Sequence, residues 1–185
     1  MGHAYQSPLK RHEVLAGLIK AAKAKTFVEV GCKEGRTSAY LLDQFPDLRV
    51  IAIDPWAALP NPDEDYKDWD FEAIERDFWM NIGANKARCT HHRATSFDAA
   101  GYISGPFDAV FIDAAHDYEN VIQDIQLWWP LVRSDGYLCG HDYQHKFPGV
   151  MRAVAECFPL LRVAVCPDSV WVVQKAGVPA LREAA

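Results

Sequence analysis

The stretch Phe27-Val28-Glu29-Val30-Gly31-Cys32-Lys33-Glu34-Gly35-Arg36-Thr37 leaves this chain little choice of architecture. A short apolar run carries an acid near its end, two glycines follow four positions apart, and a helical pattern then begins. A strand, a tight glycine loop and a helix N-terminus form the unit on which open α/β sheets hold nucleotide-like ligands. A dinucleotide site needs G-x-G-x-x-G, so that backbone meets a pyrophosphate on the helix dipole. Here the spacing is E-x-G-x-x-x-G. A carboxylate beside such a loop repels phosphate and suits a cationic, ammonium-bearing cofactor.

The same punctuation recurs. Apolar spacing predicts a helix over Glu13–Ala22, a strand over Thr26–Val30, a helix over Thr37–Gln44 and a strand over Arg49–Asp54. The run from Pro55 to Asp70 is rich in Pro, Asp and Trp and has no period, so it reads as a lid or substrate loop. A helix over Phe71–Lys86, a strand near His91–Arg93 and a short helix near Ser96–Gly101 follow. Ala109–Asp113 and Tyr137–Asp142 are strands, separated by a helical stripe of Tyr118, Val121, Ile122, Ile125, Trp128 and Trp129. Val150 to Phe158 is helical. Pro167-Asp168-Ser169 joins strands Arg162–Cys166 and Val170–Gln174, and so short a link permits only an antiparallel pair.

These alternations predict an α/β fold: a Rossmann-like, doubly wound, mostly parallel seven-stranded sheet with one antiparallel strand at the C-terminal end. A length of 185 residues fits one domain spanning 1–185, with 55–70 as a loop within it. Strand ends marked by Glu29, Asp54, Asp113 and His141-Asp142 should line one crevice.

Composition excludes other roles. A net charge of −6 argues against nucleic acid as a partner. No apolar run approaches the ~20 residues of a membrane span, and the first residues have no signal-type apolar core. Five scattered cysteines without C-x-x-C fit a reduced, cytoplasmic protein.

Four segments, taken in order, resemble one family: Glu29-Val30-Gly31…Gly35-Arg36-Thr37, Ile53-Asp54-Pro55-Trp56, Phe107 to Tyr118 with its D-A-A-H-D-Y, and Gly140-His141-Asp142-Tyr143 with Phe147-Pro148-Gly149-Val150. Together they resemble class I S-adenosylmethionine (SAM)-dependent methyltransferases, within the methyltransferase domain 24 group. Antibiotic-sugar O-methyltransferases belong to that group, and catechol O-methyltransferases are distant relatives.

The resemblance implies SAM as cofactor, with Glu29, Gly31, Gly35, Thr37, Asp54, Trp56, Ser96, Phe97 and Asp113 around it. Gly31 and Gly35 would let the methionine part lie against bare backbone. Thr37 would sit by its carboxylate, Asp54 would take the ribose hydroxyls, and Ser96-Phe97 would meet the adenine, although Ser96 reads equally as a helix N-cap. His116 with Asp113 would be catalytic, His116 as general base. Metal-dependent relatives imply a divalent ion, Mg²⁺ or Mn²⁺, on Asp113, His141 and Asp142, although imidazole suits Mn²⁺ better than Mg²⁺. The expected reaction is O-methylation of a small molecule or sugar-bearing metabolite. A non-catalytic SAM- or nucleotide-binding module and a metal-dependent hydroxylase-like enzyme are the alternatives. With little chain left for a substrate domain, a homodimer is a further expectation.

Overall fold

Every residue of β1 (Thr26–Val30) after the first is buried, so this strand needs cover on both faces. Its side chains alternate between two cores. Phe27 packs with Leu15 and Ile19 of α1 (Arg11–Ala22), Leu41 and Leu42 of α2 (Arg36–Gln44), and Phe78 and Ile82 of α3 (Phe71–Ile82). Val28 and Val30 face the other way, toward Val121, Ile125 and Trp128 of α5 (Tyr118–Trp128) and Val150 and Val154 of α6 (Pro148–Cys157). Each fully buried side chain of this size contributes about 1.5–3 kcal/mol. The computed structural model describes residues 9–59 and 66–177.

The remaining strands are β2 (Arg49–Asp54), β3 (Cys89–Arg93), β4 (Phe107–Ile112), β5 (Val132–Gly140), β6 (Ala164–Val165) and β7 (Trp171–Gln174), and α4 spans Ser96–Ala100. The seven strands lie in the order β3-β2-β1-β4-β5-β7-β6. β1 runs parallel to β2 on one side and to β4 on the other, and β7 is antiparallel to both β5 and β6. The predicted sheet is therefore present, with β7 as its one reversed strand. Chain order switches direction between β1 and β4, which opens a crevice above their carboxyl ends.

Three of the boundaries that differ from the sequence reading are informative. The helix predicted to reach Lys86 stops at Ile82, because Gly83 adopts φ +55° and ψ −123°, outside helical space; a 3-10 turn covers Gly83–Arg88. β5 starts at Val132 rather than Tyr137, since buried Val132 pairs with Phe107. β6 shrinks to two residues at the sheet edge. Caps fix the helices that border the crevice. Asp117 accepts from the Asn120 N–H at the start of α5, and Thr95, not Ser96, accepts from the Asp98 N–H at the start of α4.

The opposite end of the strands, where β1 and β4 begin, is fastened by Asp108. Its carboxylate accepts from the N–H groups of Lys25 (2.7 Å) and Thr26 (2.8 Å), the Thr26 hydroxyl and Arg133 Nε. Burial works against its charge, but these donors outweigh it and hold the carboxyl below its ordinary value. A group shifted this way adds stability above pH ~4 that disappears as pH falls through the lowered value. Asp108→Ala should cost about 1–3 kcal/mol near neutrality, and calorimetric melting should show the deficit shrinking in acid. An unchanged melting temperature at neutral pH would contradict this role.

Candidate active site

The loop after β1 is tied to β2 by two N–H groups, Gly31 and Cys32, which both donate to the Ile53 carbonyl. Gly31 has φ +85°, and a Cβ there would stand 2.2 Å from the Asp113 carbonyl oxygen and 2.9 Å from Ala114 Cα. The bare side of Gly31 is thus required by the turn that follows β4, whereas the sequence reading gave it to the cofactor. Lys33, at φ +47°, is a third left-handed residue between Gly31 and Gly35, and nothing in its side chain announces it. The Lys33 N–H donates to Asp54 (2.9 Å), and its carbonyl accepts from Trp56 Nε1 (3.1 Å), so the β1 and β2 loops form one rigid rim.

Glu29 sits beneath this rim at 2% exposure. Its carboxyl accepts from the hydroxyls of Ser38 and Thr37 at the start of α2. These two partners do not offset the loss of water, and burial pushes its pKa up to about 8. Thr37 thus borders the cavity while its hydroxyl is directed at Glu29.

Asp54, at the end of β2, accepts from the Trp56 N–H (2.8 Å) through one oxygen and from Lys33 through the other. A carboxylate has about four acceptor sites, so half its capacity is left. Trp56 is fully buried at φ +40°, stacked on His91 at 4.5 Å and edge-on to Phe78 at 5.4 Å. It braces the rim from the core side.

Farther along, Phe97 is 59% exposed at the cavity mouth, while the Ser96 hydroxyl accepts from Trp128 Nε1 (2.9 Å). Asp124 was missed by the sequence reading. It is buried in α5 on the same face as Val121, Ile125 and Trp128, bonds Ser96, and is pushed up to about 7 by burial. An acid inside an apolar stripe was the signal.

On the other side, β4 and β5 deliver Asp113, His116, His141 and Asp142. Asp142, left-handed at φ +60°, accepts from His116 Nε2 (2.9 Å) through one oxygen and from Gln144 Nε2 (3.1 Å) through the other. Burial opposes its charge, but His116 and His141 hold it well below the usual carboxylate range. The His116 ring stacks on Phe147 at 4.1 Å. A Cβ at Gly149 would stand 2.6 Å from the His116 carbonyl, so its absence lets the start of α6 approach the turn that carries His116. Asp113 is raised by burial and pairs with the Arg11 guanidinium, another contact the sequence reading missed. Arg11 begins α1, and no local pattern ties it to a residue 102 positions away.

Asp113, His141 and Asp142 offer donor atoms within 4.8 Å of one another. The set does not fit Mg²⁺, which takes oxygen ligands in octahedral order. One ligand is an imidazole, Asp113 already carries a guanidinium, and both oxygens of Asp142 already hold donors. This cluster holds one imidazole; His116, the second that a hydroxylase-type facial triad needs, lies 2.9 Å from Asp142 but outside the cluster.

A cavity of about 930 Å³ joins these groups, bordered by Glu29, Gly31, Thr37, Asp54, Ser96, Phe97, Asp113, His116 and Asp142. That is the upper range of small-molecule sites. A buried, poorly compensated carboxyl at its floor fits a ligand carrying positive charge. Because Glu29 is raised in the fold from 4.5 to about 8, the folded chain binds the extra proton, and stability declines as pH rises across that window. Glu29→Gln should flatten this decline and raise the melting temperature by a few degrees at pH 8. Equal slopes in both proteins between pH 5 and pH 8 would overturn it.

Comparison with known proteins agrees with this geometry. Residues 28–143 match the methyltransferase domain family. An uncharacterised protein, R132, of Acanthamoeba polyphaga mimivirus is 29% identical over 136 residues, covering 70% of this chain and 57% of the viral protein. The chain thus spans little more than half the length of that relative. Among solved structures, an O-methyltransferase of Bacillus cereus in complex with SAH superposes with TM-score 0.65 at 16% identity, covering 94% of this chain and 84% of the other. TomG, an O-methyltransferase of Streptomyces achromogenes involved in tomaymycin synthesis and solved with SAM, gives 0.64 at 15% identity, with 90% and 80% covered. At such identities these two structures establish the fold. The family match covers more than half of the residues, from β1 through Asp142 and Tyr143, and the chain belongs to the methyltransferase domain family.

Proposed function

We propose that the protein is a SAM-dependent O-methyltransferase acting on a hydroxyl of a small molecule or sugar-bearing metabolite. The observation that carries this reading is the buried Glu29 carboxyl at the floor of the cavity, within the segment that matches the family. The bound SAM and SAH of the two O-methyltransferase structures support it.

SAM, when bound, supplies an electrophilic methyl carbon on a sulfonium: a C–O bond forms as the C–S bond breaks, leaving a neutral thioether. The chain's part is to place the acceptor oxygen in line and to take its proton. Asp54 has acceptor capacity left for ribose hydroxyls. Phe97 and the Ser96 region border the adenine end. His116 receives the acceptor's proton; Asp142 orients its ring and stabilises the imidazolium, and Phe147 fixes the ring plane. Leu59, Tyr66 and Trp69 border the acceptor side, which supports the 55–70 segment as its cover; residues 60–65 of that segment lie outside the described ones.

Calorimetry should find SAM and SAH binding and no NAD binding, and Asp54→Ala should weaken SAM by about 1–3 kcal/mol. NAD binding without SAM binding would end this reading. Mass spectrometry of hydroxylated metabolites incubated with SAM identifies the acceptor. With that acceptor, His116→Ala should keep SAM affinity and lower kcat by roughly 10²–10⁴-fold. A near-parental kcat would move the base elsewhere. Activity should persist in chelator, since Asp113 already pairs with Arg11 and Asp142 already accepts from His116; strict dependence on added Mn²⁺ or Mg²⁺ would refute that.

A further inference from the structure

We propose that Arg11 is a binding residue for the amino-acid end of the cofactor: its guanidinium, which the structure pairs with Asp113, takes the cofactor's α-carboxylate, and Asp113 takes the α-ammonium. The inference rests on the SAM reading above. No motif brings Arg11 to the cavity; the fold does. Arg11 is the first residue of α1, and its backbone N–H donates to Asp168 Oδ2 (2.9 Å) in the turn between β6 and β7. That bond anchors the residue above the carboxyl ends of the strands. Its side chain is 38% exposed and reaches Asp113, which lies deeper at 15%.

Charge complementarity identifies the ligand group. The cavity end formed by the β1 and β4 termini holds two carboxyls, Glu29 and Asp113, and one guanidinium, Arg11. SAM carries two cationic centres, sulfonium and ammonium, and one carboxylate. The two sets match in number and sign. An α-amino acid is a zwitterion, and a guanidinium beside a carboxylate presents its mirror image, with planar N–H donors suited to a carboxylate. Exchanging one ion pair for two charge-matched contacts leaves no buried charge unpaired. Other cations on the cavity wall are differently placed. Lys33 lies over the Trp69 ring at 4.0 Å, Lys146 over Phe147 at 4.8 Å, and Arg36 is exposed on the first turn of α2.

Truncating the ligand tests this directly. Binding of SAM, SAH and 5′-methylthioadenosine, which keeps the nucleoside and lacks the amino-acid end, is measured by calorimetry on the parent, Arg11→Gln, Arg11→Lys and Arg36→Gln. Arg11→Gln should weaken SAM and SAH by about 10–100-fold and leave methylthioadenosine unchanged, the scale of a charge-assisted contact. Arg11→Lys should fall between, and Arg36→Gln should stay near the parent. Retained methylthioadenosine binding also shows that the variant is folded. Equal loss of all three ligands, no loss of SAH, or a larger loss in Arg36→Gln than in Arg11→Gln each overturns the assignment. A parent that binds none of the three ligands instead overturns the SAM reading itself.

Discussion

A carboxyl group sealed at the carboxyl end of β1, with two hydroxyls as partners, sets the terms for the rest of the site. Glu29 could be satisfied by water if it were exposed, but at 2% exposure it is not, and the fold carries the cost as a raised pKa. Its surroundings follow from holding it there. Thr37 and Ser38 must face inward from the first turn of α2, so that helix must begin right after Gly35. The loop between must turn sharply, which it does through left-handed residues at Gly31, Lys33 and Gly35. Gly31 must also pass under the Asp113 carbonyl, which brings the ends of β1 and β4 together. The cavity above is the place where a positively charged ligand recovers what burial costs.

The strand-end groups divide into two sets by what already holds them. Glu29, Asp54 and the Ser96–Asp124 pair run along one side, each with acceptor capacity or a raised pKa. Asp142, His116 and Phe147 form the other, a ring held at one nitrogen by a carboxylate and on one face by an aromatic side chain. Asp113 stands between them. This separation suits the proposed transfer, in which one wall would hold the donor and the other would receive the acceptor's proton. The metal ligands implied by resemblance already have partners here: Asp113 pairs with Arg11, and Asp142 accepts from His116.

Much of the fold was legible because it is written in short periods. The continuous apolar runs of β1 and β4, the stripe of α5 and the three-residue hairpin link are local patterns, and these elements formed where their patterns lay. The acids at the strand ends were legible for the same reason. What could not be read depends on the approach of distant segments. Arg11 meets Asp113 only because α1 packs across the sheet. Trp56 borders the cavity, as its position suggests, but no local pattern foretells the left-handed backbone that packs its indole against Phe78 and His91. The missing Cβ of Gly31 serves a neighbouring turn that no local pattern contains. Asp124 was within reach, as the one acid on an apolar helical face.

The central claim is that a cationic cofactor binds above Glu29 and ionises it. Proton release during SAM binding measures this most directly, read from calorimetric titrations at pH 7 in buffers of different ionisation enthalpy. With Glu29 raised to about 8 before the ligand binds, the account predicts release of close to one proton per SAM bound in the parent and none attributable to this group in Glu29→Gln. SAM binding with no net proton release in the parent, or with the same release in both proteins, would contradict it.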